Sequence, residues 1–148
     1  MSDGIKLLCP HCDTLNRVPA ARLGQAPICG ACRLHLFDAR PIAIDAARFR
    51  RHMRLDEVPM LVDFWASWCG PCRAMAPAFE AAAKELEPAM RLFKLSTEDA
   101  PDIAGEFQIT SIPTLALFRG GREVARQAGA MPARQIVAWA QQATRQAT

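Results

Sequence analysis

The sequence predicts an α/β protein, a central mixed β-sheet flanked by helices, preceded by a small domain of a different kind. Three observations lead there. From Arg40 onward, short apolar runs alternate with stretches of helical period in the order β-α-β-α-β-α-β-β-α, the pattern of a largely parallel sheet with helices on its faces. The last two strands meet at Gly120-Gly121, a signature of an antiparallel hairpin, so the sheet is mixed. Residues 1–38, by contrast, have no helical period and contain four cysteines with Pro10, Pro19 and Pro27. A segment below roughly 40 residues seldom folds without a metal or disulfides. The expected division is therefore 1–38 and 39–148.

Each element of the larger part has its own warrant. Pro41 to Ile44 reads as a short strand, and Asp45 as the N-cap of a helix that turns Phe49 and Met53 inward. On that helix the arginines between Arg48 and Arg54 form a solvated face, and His52 lies on the outer side. Met60 to Trp65 is a nearly continuous apolar run, as a strand covered on both faces requires. After Cys69-Gly70-Pro71-Cys72, the residues Met75, Phe79, Ala82 and Leu86 recur at helical spacing up to Pro88, with Pro77 expected to kink the helix. Arg91 to Ser96 is the next strand, and Pro101 sits in the first turn of the short helix after it. Thr114–Phe118 and Arg122–Gln127 form the hairpin. Ile136, Trp139, Ala140 and Ala143 line one face of the last helix.

Composition excludes several function classes. The 148 residues are 51% hydrophobic and 22% charged, a globular rather than disordered balance. No run approaches the roughly 18 apolar residues of a membrane span. The opening MSDGIKLLC has an acidic Asp3 and only Ile5, Leu7 and Leu8 as apolar material, unlike a secretory leader. A cytoplasmic protein with no membrane association is expected, in a compartment where thiols stay reduced. The net charge is +3, and four thiolates around one divalent cation would lower it to +1; nucleic acid is not an expected partner. No Ser/His/Asp set, phosphate-binding loop or carboxylate pair stands out.

The six cysteines form three Cys-x-x-Cys pairs, and such a pair can grip a metal or exchange a disulfide. Cys9-Pro10-His11-Cys12 and Cys29-Gly30-Ala31-Cys32 are separated by 16 residues, a spacing that reads as tetrahedral zinc. Four thiolates complete the coordination sphere and leave no open position. Cys9, Cys12, Cys29 and Cys32 are therefore expected to hold one structural zinc per chain. Two other readings stand beside this one. A pair of disulfides would suit an oxidising compartment. Cys9-Pro10-His11-Cys12 would be redox-active if a helix followed it, but Pro19 and Pro27 argue against a long helix there. His11 and His35 are spare donors that four cysteines do not need.

The third pair has another setting. Cys69-Gly70-Pro71-Cys72 lies between an apolar strand and an amphipathic helix, where free N–H groups and the positive end of the helix dipole stabilise a thiolate. Cys69, outermost, is the nucleophile. Cys72, one turn further in, is placed to attack the sulfur of Cys69, and Pro71 fits the first helical turn. Arg73 stands close by as a solvated cation. A carboxylate buried without a partner has a raised pKa. Asp63, inside the apolar strand, is thus either a proton acceptor for Cys72 or a carboxylate at a solvated strand end.

Trp68-Cys69-Gly70-Pro71-Cys72 resembles the thioredoxin active site. It comes with Asp63-Phe64-Trp65-Ala66, Lys94, Ile112-Pro113-Thr114, Gly120-Gly121 and Gly129, and the resemblance runs along residues 40–148. With the four-cysteine extension in front, the chain resembles the zinc-binding two-domain bacterial thioredoxins over its full length. The resemblance implies a thioredoxin fold with an N-terminal zinc-ribbon domain, and reduction of disulfides in protein substrates. It implies attack by Cys69, resolution by Cys72, a buried proton-accepting Asp63 and Lys94 as its charged neighbour. It also implies a substrate groove at Trp68, Gly70, Pro71, Ile112, a cis Pro113 and Gly129, with NADPH-dependent thioredoxin reductase as electron donor. Two alternatives remain from the residues: a redox-sensing switch that releases zinc, and a zinc-ribbon docking module on a thioredoxin scaffold. Ser67 departs from the family pattern, where proline or an acidic residue is usual, a difference that bears on partner preference.

Overall fold

A computed structural model describes residues 4–146. The cysteine-rich unit contains a hairpin of β1 (Ile5–Leu8) and β2 (Leu15–Val18), then a short 3-10 turn at Ala20–Arg22. The rest follows the expected order: β3 (Ile42–Ala43), α1 (Ala46–Leu55), β4 (Met60–Trp65), α2 (Gly70–Leu86), β5 (Arg91–Ser96), α3 (Pro101–Glu106), β6 (Thr114–Arg119), β7 (Arg122–Ala128) and α4 (Ala133–Gln146). β3 is shorter than the expected Pro41–Ile44 because Pro41 has no N–H to donate, although Ile44 N–H still reaches the Lys94 carbonyl at 3.0 Å. Asp45 caps α1 by accepting from Arg48 N–H at 2.8 Å. α2 continues through Pro77 to Leu86.

The five-stranded sheet has the order β3-β5-β4-β6-β7, with β3, β5 and β4 parallel and β6 and β7 antiparallel. Gly120 and Gly121 close the β6–β7 hairpin at φ of 63° and 81°, values that suit glycine. Side chains alternate across the strands, and the core falls into two layers. Leu61, Leu92, Leu115 and Leu117 face α2 and α4, against Met75, Phe79, Leu86 and Ile136. Met60, Val62, Phe64, Phe93 and Phe118 face α1 and α3, against Phe49 and Ile103. The same alternation puts Asp63, two residues after Leu61, on the face that α2 covers.

Two expectations for α1 are corrected. His52 is not on an outer face: it is fully buried, with Nδ1 2.6 Å from Asp56 Oδ2 and its ring edge-on to Phe93 at 4.7 Å between centroids. Nor are the arginines all solvated. Arg48 Nη1 donates to the Pro10 carbonyl at 2.9 Å, and Asp13 receives Arg48 Nε at 3.1 Å and Arg51 Nη1 at 3.0 Å. The cause is the cysteine-rich unit, which lies along α1 and turns that face of an outer helix into an interface.

One buried cation joins the two parts. Arg91, the first residue of β5, is 1% exposed. Its Nε donates to Asp56 Oδ2 at 3.1 Å, Nη1 to the Leu36 carbonyl at 2.7 Å and Nη2 to the Leu8 carbonyl at 3.2 Å. Asp56 Oδ1 accepts Leu8 N–H at 2.7 Å, and the Phe37 ring lies 4.5 Å from the guanidinium. Arg91 is in register with Met60, so this clamp sits at the amino-terminal ends of β4 and β5. The third cysteine pair follows the opposite end of β4.

Removing one member of a buried ion pair leaves its partner charged and unsatisfied. Arg91→Ala is expected to lower unfolding stability by about 3–5 kcal/mol in urea titration. Arg50→Ala, which removes only the exposed pairs of Arg50 with Glu106 and Asp102, is expected to leave the midpoint nearly unchanged.

Candidate active site and metal centre

β4 delivers the chain to a turn in which Cys69 N–H donates to the Ala66 carbonyl at 3.1 Å, and α2 starts at once. Cys69 is the N-cap of that helix, with its sulfur accepting Cys72 N–H at 3.2 Å. Pro71 occupies the first turn, where its missing N–H leaves no intrahelical bond unmade. Cys69 and Cys72 are joined as a disulfide, with Cα atoms 5.3 Å apart, and are 4% and 2% exposed. This is the oxidised form of a dithiol at a helix N-terminus, where a thiolate released by reduction meets free N–H groups and the positive end of the dipole. Arg73, adjacent in sequence, is occupied elsewhere: its Nη1 donates to the Ser67 carbonyl at 2.7 Å.

Asp63 is 1% exposed, and neither carboxylate oxygen has a hydrogen-bond partner. Burial pushes its pKa up to about 7, against the opposing charge of Lys94. Lys94 is the register neighbour of Asp63 on β5, but its Nζ lies over the Trp65 ring, 4.5 Å from the centroid. Around the dithiol, the Ile112–Pro113 bond is cis, and the Ile112 carbonyl oxygen is 3.8 Å from Cys69 Sγ. Gly129 N–H donates to the Pro113 carbonyl at 2.8 Å, at a φ of 98° that disfavours any side chain. Trp68 is 67% exposed.

The other four cysteines converge from two knuckles that repeat one backbone pattern. Cys9 and Cys29 each accept at their carbonyls from the residue four positions on, Asp13 and Arg33. Those two residues have φ of 67° and 69°. His11 N–H and Ala31 N–H each point at the first sulfur of their own knuckle, at 3.4 Å. All four sulfurs lie within 4.8 Å of one another, with Cys9–Cys32 and Cys12–Cys29 at 3.6 Å. A tetrahedron with metal–sulfur bonds of about 2.3 Å has edges of about 3.8 Å, so the cluster fits such an ion. Without a cation the sulfurs are unequal. Burial pushes the Cys9 thiol up to about 12. Cys29 is also raised by burial, but hydrogen bonds from Cys32, Asn16 and Ala31 outweigh this and bring it to about 6.

Sequence reasoning missed several participants. Asn16 donates to Cys29 Sγ at 3.4 Å and accepts Gly30 N–H at 2.9 Å, tying β2 to the second knuckle. A single polar residue in a short strand carries no signal for this. Glu98, which binds Ser67 beside the dithiol, and the Arg91–Asp56 clamp were equally invisible, being contacts between distant segments.

A dithiol opening a helix at the end of a central strand, on a mixed five-stranded sheet, defines a thiol–disulfide oxidoreductase. A family model described as Thioredoxin matches residues 40–142, and one described as Thioredoxin 2, N-terminal, matches residues 8–33. Thioredoxin C-3 of Corynebacterium nephridii is 37% identical over 140 residues, covering 95% of this chain and 96% of that one. A bifunctional thioredoxin reductase/thioredoxin of Mycobacterium leprae is 44% identical over 89 residues, 60% of this chain and 19% of that one. Among solved structures, a thioredoxin of Malassezia sympodialis superposes with a TM-score of 0.63 at 27% identity, covering 70% of this chain and 90% of that one. The chain belongs to the thioredoxin family.

The buried Asp63 makes stability depend on pH. Its folded carboxyl keeps a proton up to about pH 7, whereas an unfolded aspartate loses it near pH 4. Between those values the native state binds more protons, so stability falls as pH rises. Asp63→Asn removes this loss. Urea unfolding should find Asp63→Asn more stable than the wild type by about 2–4 kcal/mol at pH 8 and nearly equal to it at pH 4.

Proposed function

We propose that the protein reduces disulfide bonds of other proteins through Cys69 and Cys72. The observation that carries this reading is the position of Cys69 as the sulfur cap of α2, accepting Cys72 N–H at 3.2 Å. In the reduced protein, the Cys69 thiolate attacks one sulfur of the target disulfide; the target S–S bond breaks, and the other target sulfur leaves as a thiolate. Asp63, with a pKa near neutrality, takes the proton of Cys72. The Cys72 thiolate then attacks Cys69 Sγ, breaking the mixed disulfide and releasing the second target thiolate. Two electrons pass to the target and the Cys69–Cys72 bond forms. Lys94 would hold positive charge near Asp63 as it ionises.

The target strand would lie across Ile112, cis-Pro113 and Gly129 and pair with the Ile112 backbone. Trp68, Gly70 and Pro71 would form the apolar lip over the nucleophile. Return to the dithiol needs an electron donor of the thioredoxin reductase class drawing on NADPH. The Mycobacterium leprae relative, whose name joins both activities on one chain, supports that pairing. Cys9, Cys12, Cys29 and Cys32 would hold one zinc ion, which supplies a structural cross-link between the two knuckles. The division into a zinc-ribbon domain, 1–38, and a thioredoxin domain, 39–148, is part of this reading, as is a reducing compartment such as the cytoplasm. Among the described residues no helix is long and apolar enough to cross a membrane.

The test is reduction of insulin with dithiothreitol as electron source. The wild type should accelerate precipitation of the insulin B chain, Cys69→Ser should fall to the uncatalysed rate, and Cys72→Ser should accumulate a mixed disulfide seen by mass. A wild type no faster than dithiothreitol alone would reject the reading. Native mass spectrometry of the same reduced sample should show one zinc per chain; a metal-free chain with a folded ribbon would remove zinc from it.

A further inference from the structure

The parallel ladder of β4 and β5 ends at Trp65 and Ser96, and its last backbone rung is Thr97 N–H to the Trp65 carbonyl at 2.8 Å. Two residues beyond Trp65, Ser67 N–H has no backbone acceptor. A side chain takes it instead: Glu98 Oε1 accepts Ser67 N–H at 3.1 Å and Ser67 Oγ–H at 2.9 Å. With Arg73 bound to the Ser67 carbonyl, each polar group of Ser67 is held by a side chain of another segment. Ser67 and Trp68 are the two corners of the turn that the Cys69 N–H to Ala66 carbonyl bond closes. Cys69 has further supports in α2, through Cys72 N–H on its sulfur and Arg73 N–H on its carbonyl at 3.2 Å. Trp68, two-thirds exposed, depends for its placement on the corner that Ser67 shares.

We propose that Glu98 is a positioning residue for protein-disulfide reduction: by accepting both Ser67 donors, it fixes the turn that presents Trp68 to a protein partner. The inference rests on the reductase reading above. Glu98 acts through hydrogen-bond acceptance rather than charge, since both donors meet a single oxygen and glutamine offers the same acceptor. Its loss acts on docking more than on chemistry, because α2 holds Cys69 independently. The modest net strength of hydrogen bonds at an exposed site sets the scale of the effect.

The experiment is steady-state reduction of insulin over a range of insulin concentrations, with dithiothreitol in excess. Glu98→Ala should raise KM about three- to tenfold, the worth of one or two such bonds, while kcat changes less than about twofold. Glu98→Gln should stay within about twofold of the wild-type KM. In a Trp68→Ala background the further change Glu98→Ala should be nearly silent, because its effect runs through that ring. An unchanged KM in Glu98→Ala, a Glu98→Gln as impaired as the alanine variant, or additivity with Trp68→Ala would each overturn the inference alone. A wild type inert toward insulin would overturn the reductase reading and this inference with it.

Discussion

The contact on which the site depends is the one between Cys72 N–H and the sulfur of Cys69. It is a capping bond. A helix start leaves its first N–H groups without partners, and here the first of the two sulfurs meets one of them. Everything needed for that geometry lies in adjacent elements: an apolar strand that ends at Trp65, a four-residue turn, and a helix opened by Gly70 and Pro71. The strand is anchored by the core on both faces, so the sulfur is held by the rigid part of the molecule and not by a loose loop.

The same Cys-x-x-Cys spacing has another outcome in the cysteine-rich unit because the backbone takes another path. At Asp13 and Arg33 the chain enters left-handed conformation instead of a helix. Each knuckle then folds its two sulfurs toward the opposite knuckle, and four sulfurs come together with near-tetrahedral edges. The unit is bound to the rest by Arg91 and Asp56, at the end of β4 and β5 away from the dithiol, and by Arg48 and Arg51 along α1. Trp68, beside the dithiol, stays exposed.

Much of this was legible in the chain. The apolar run of β4, the Gly-Gly hairpin and the helical period of α2 depend on local pattern, and each element lies where its residues point. The two cysteine groups were legible because ligand spacing and strand-to-helix context are both local. Contacts between distant segments were not. His52 and the arginines of α1 looked solvated, because their sequence neighbours are polar and nothing local announces that Asp56 and Phe93 enclose His52 or that Pro10 and Asp13 bind Arg48 and Arg51. Lys94 illustrates the same limit: register places it beside Asp63, yet its ammonium rests on the Trp65 ring. The role of Glu98 arises from where a ladder runs out, which only the paired strands reveal.

Local backbone, rather than cysteine spacing, separates the dithiol at the start of α2 from the four clustered sulfurs. Thiol-by-thiol alkylation of the reduced, zinc-loaded protein, followed by mass spectrometry across pH, tests it most directly. The account predicts fast modification of Cys69, half-maximal below the pH of about 8.5 that marks a free thiol, an effect for which thioredoxin-type dithiols are a standard instance. Cys9, Cys12, Cys29 and Cys32 should react only after a chelator is added. Modification of the four at the rate of Cys69 in the zinc-loaded protein, or a Cys69 no more reactive than a free cysteine, would contradict it.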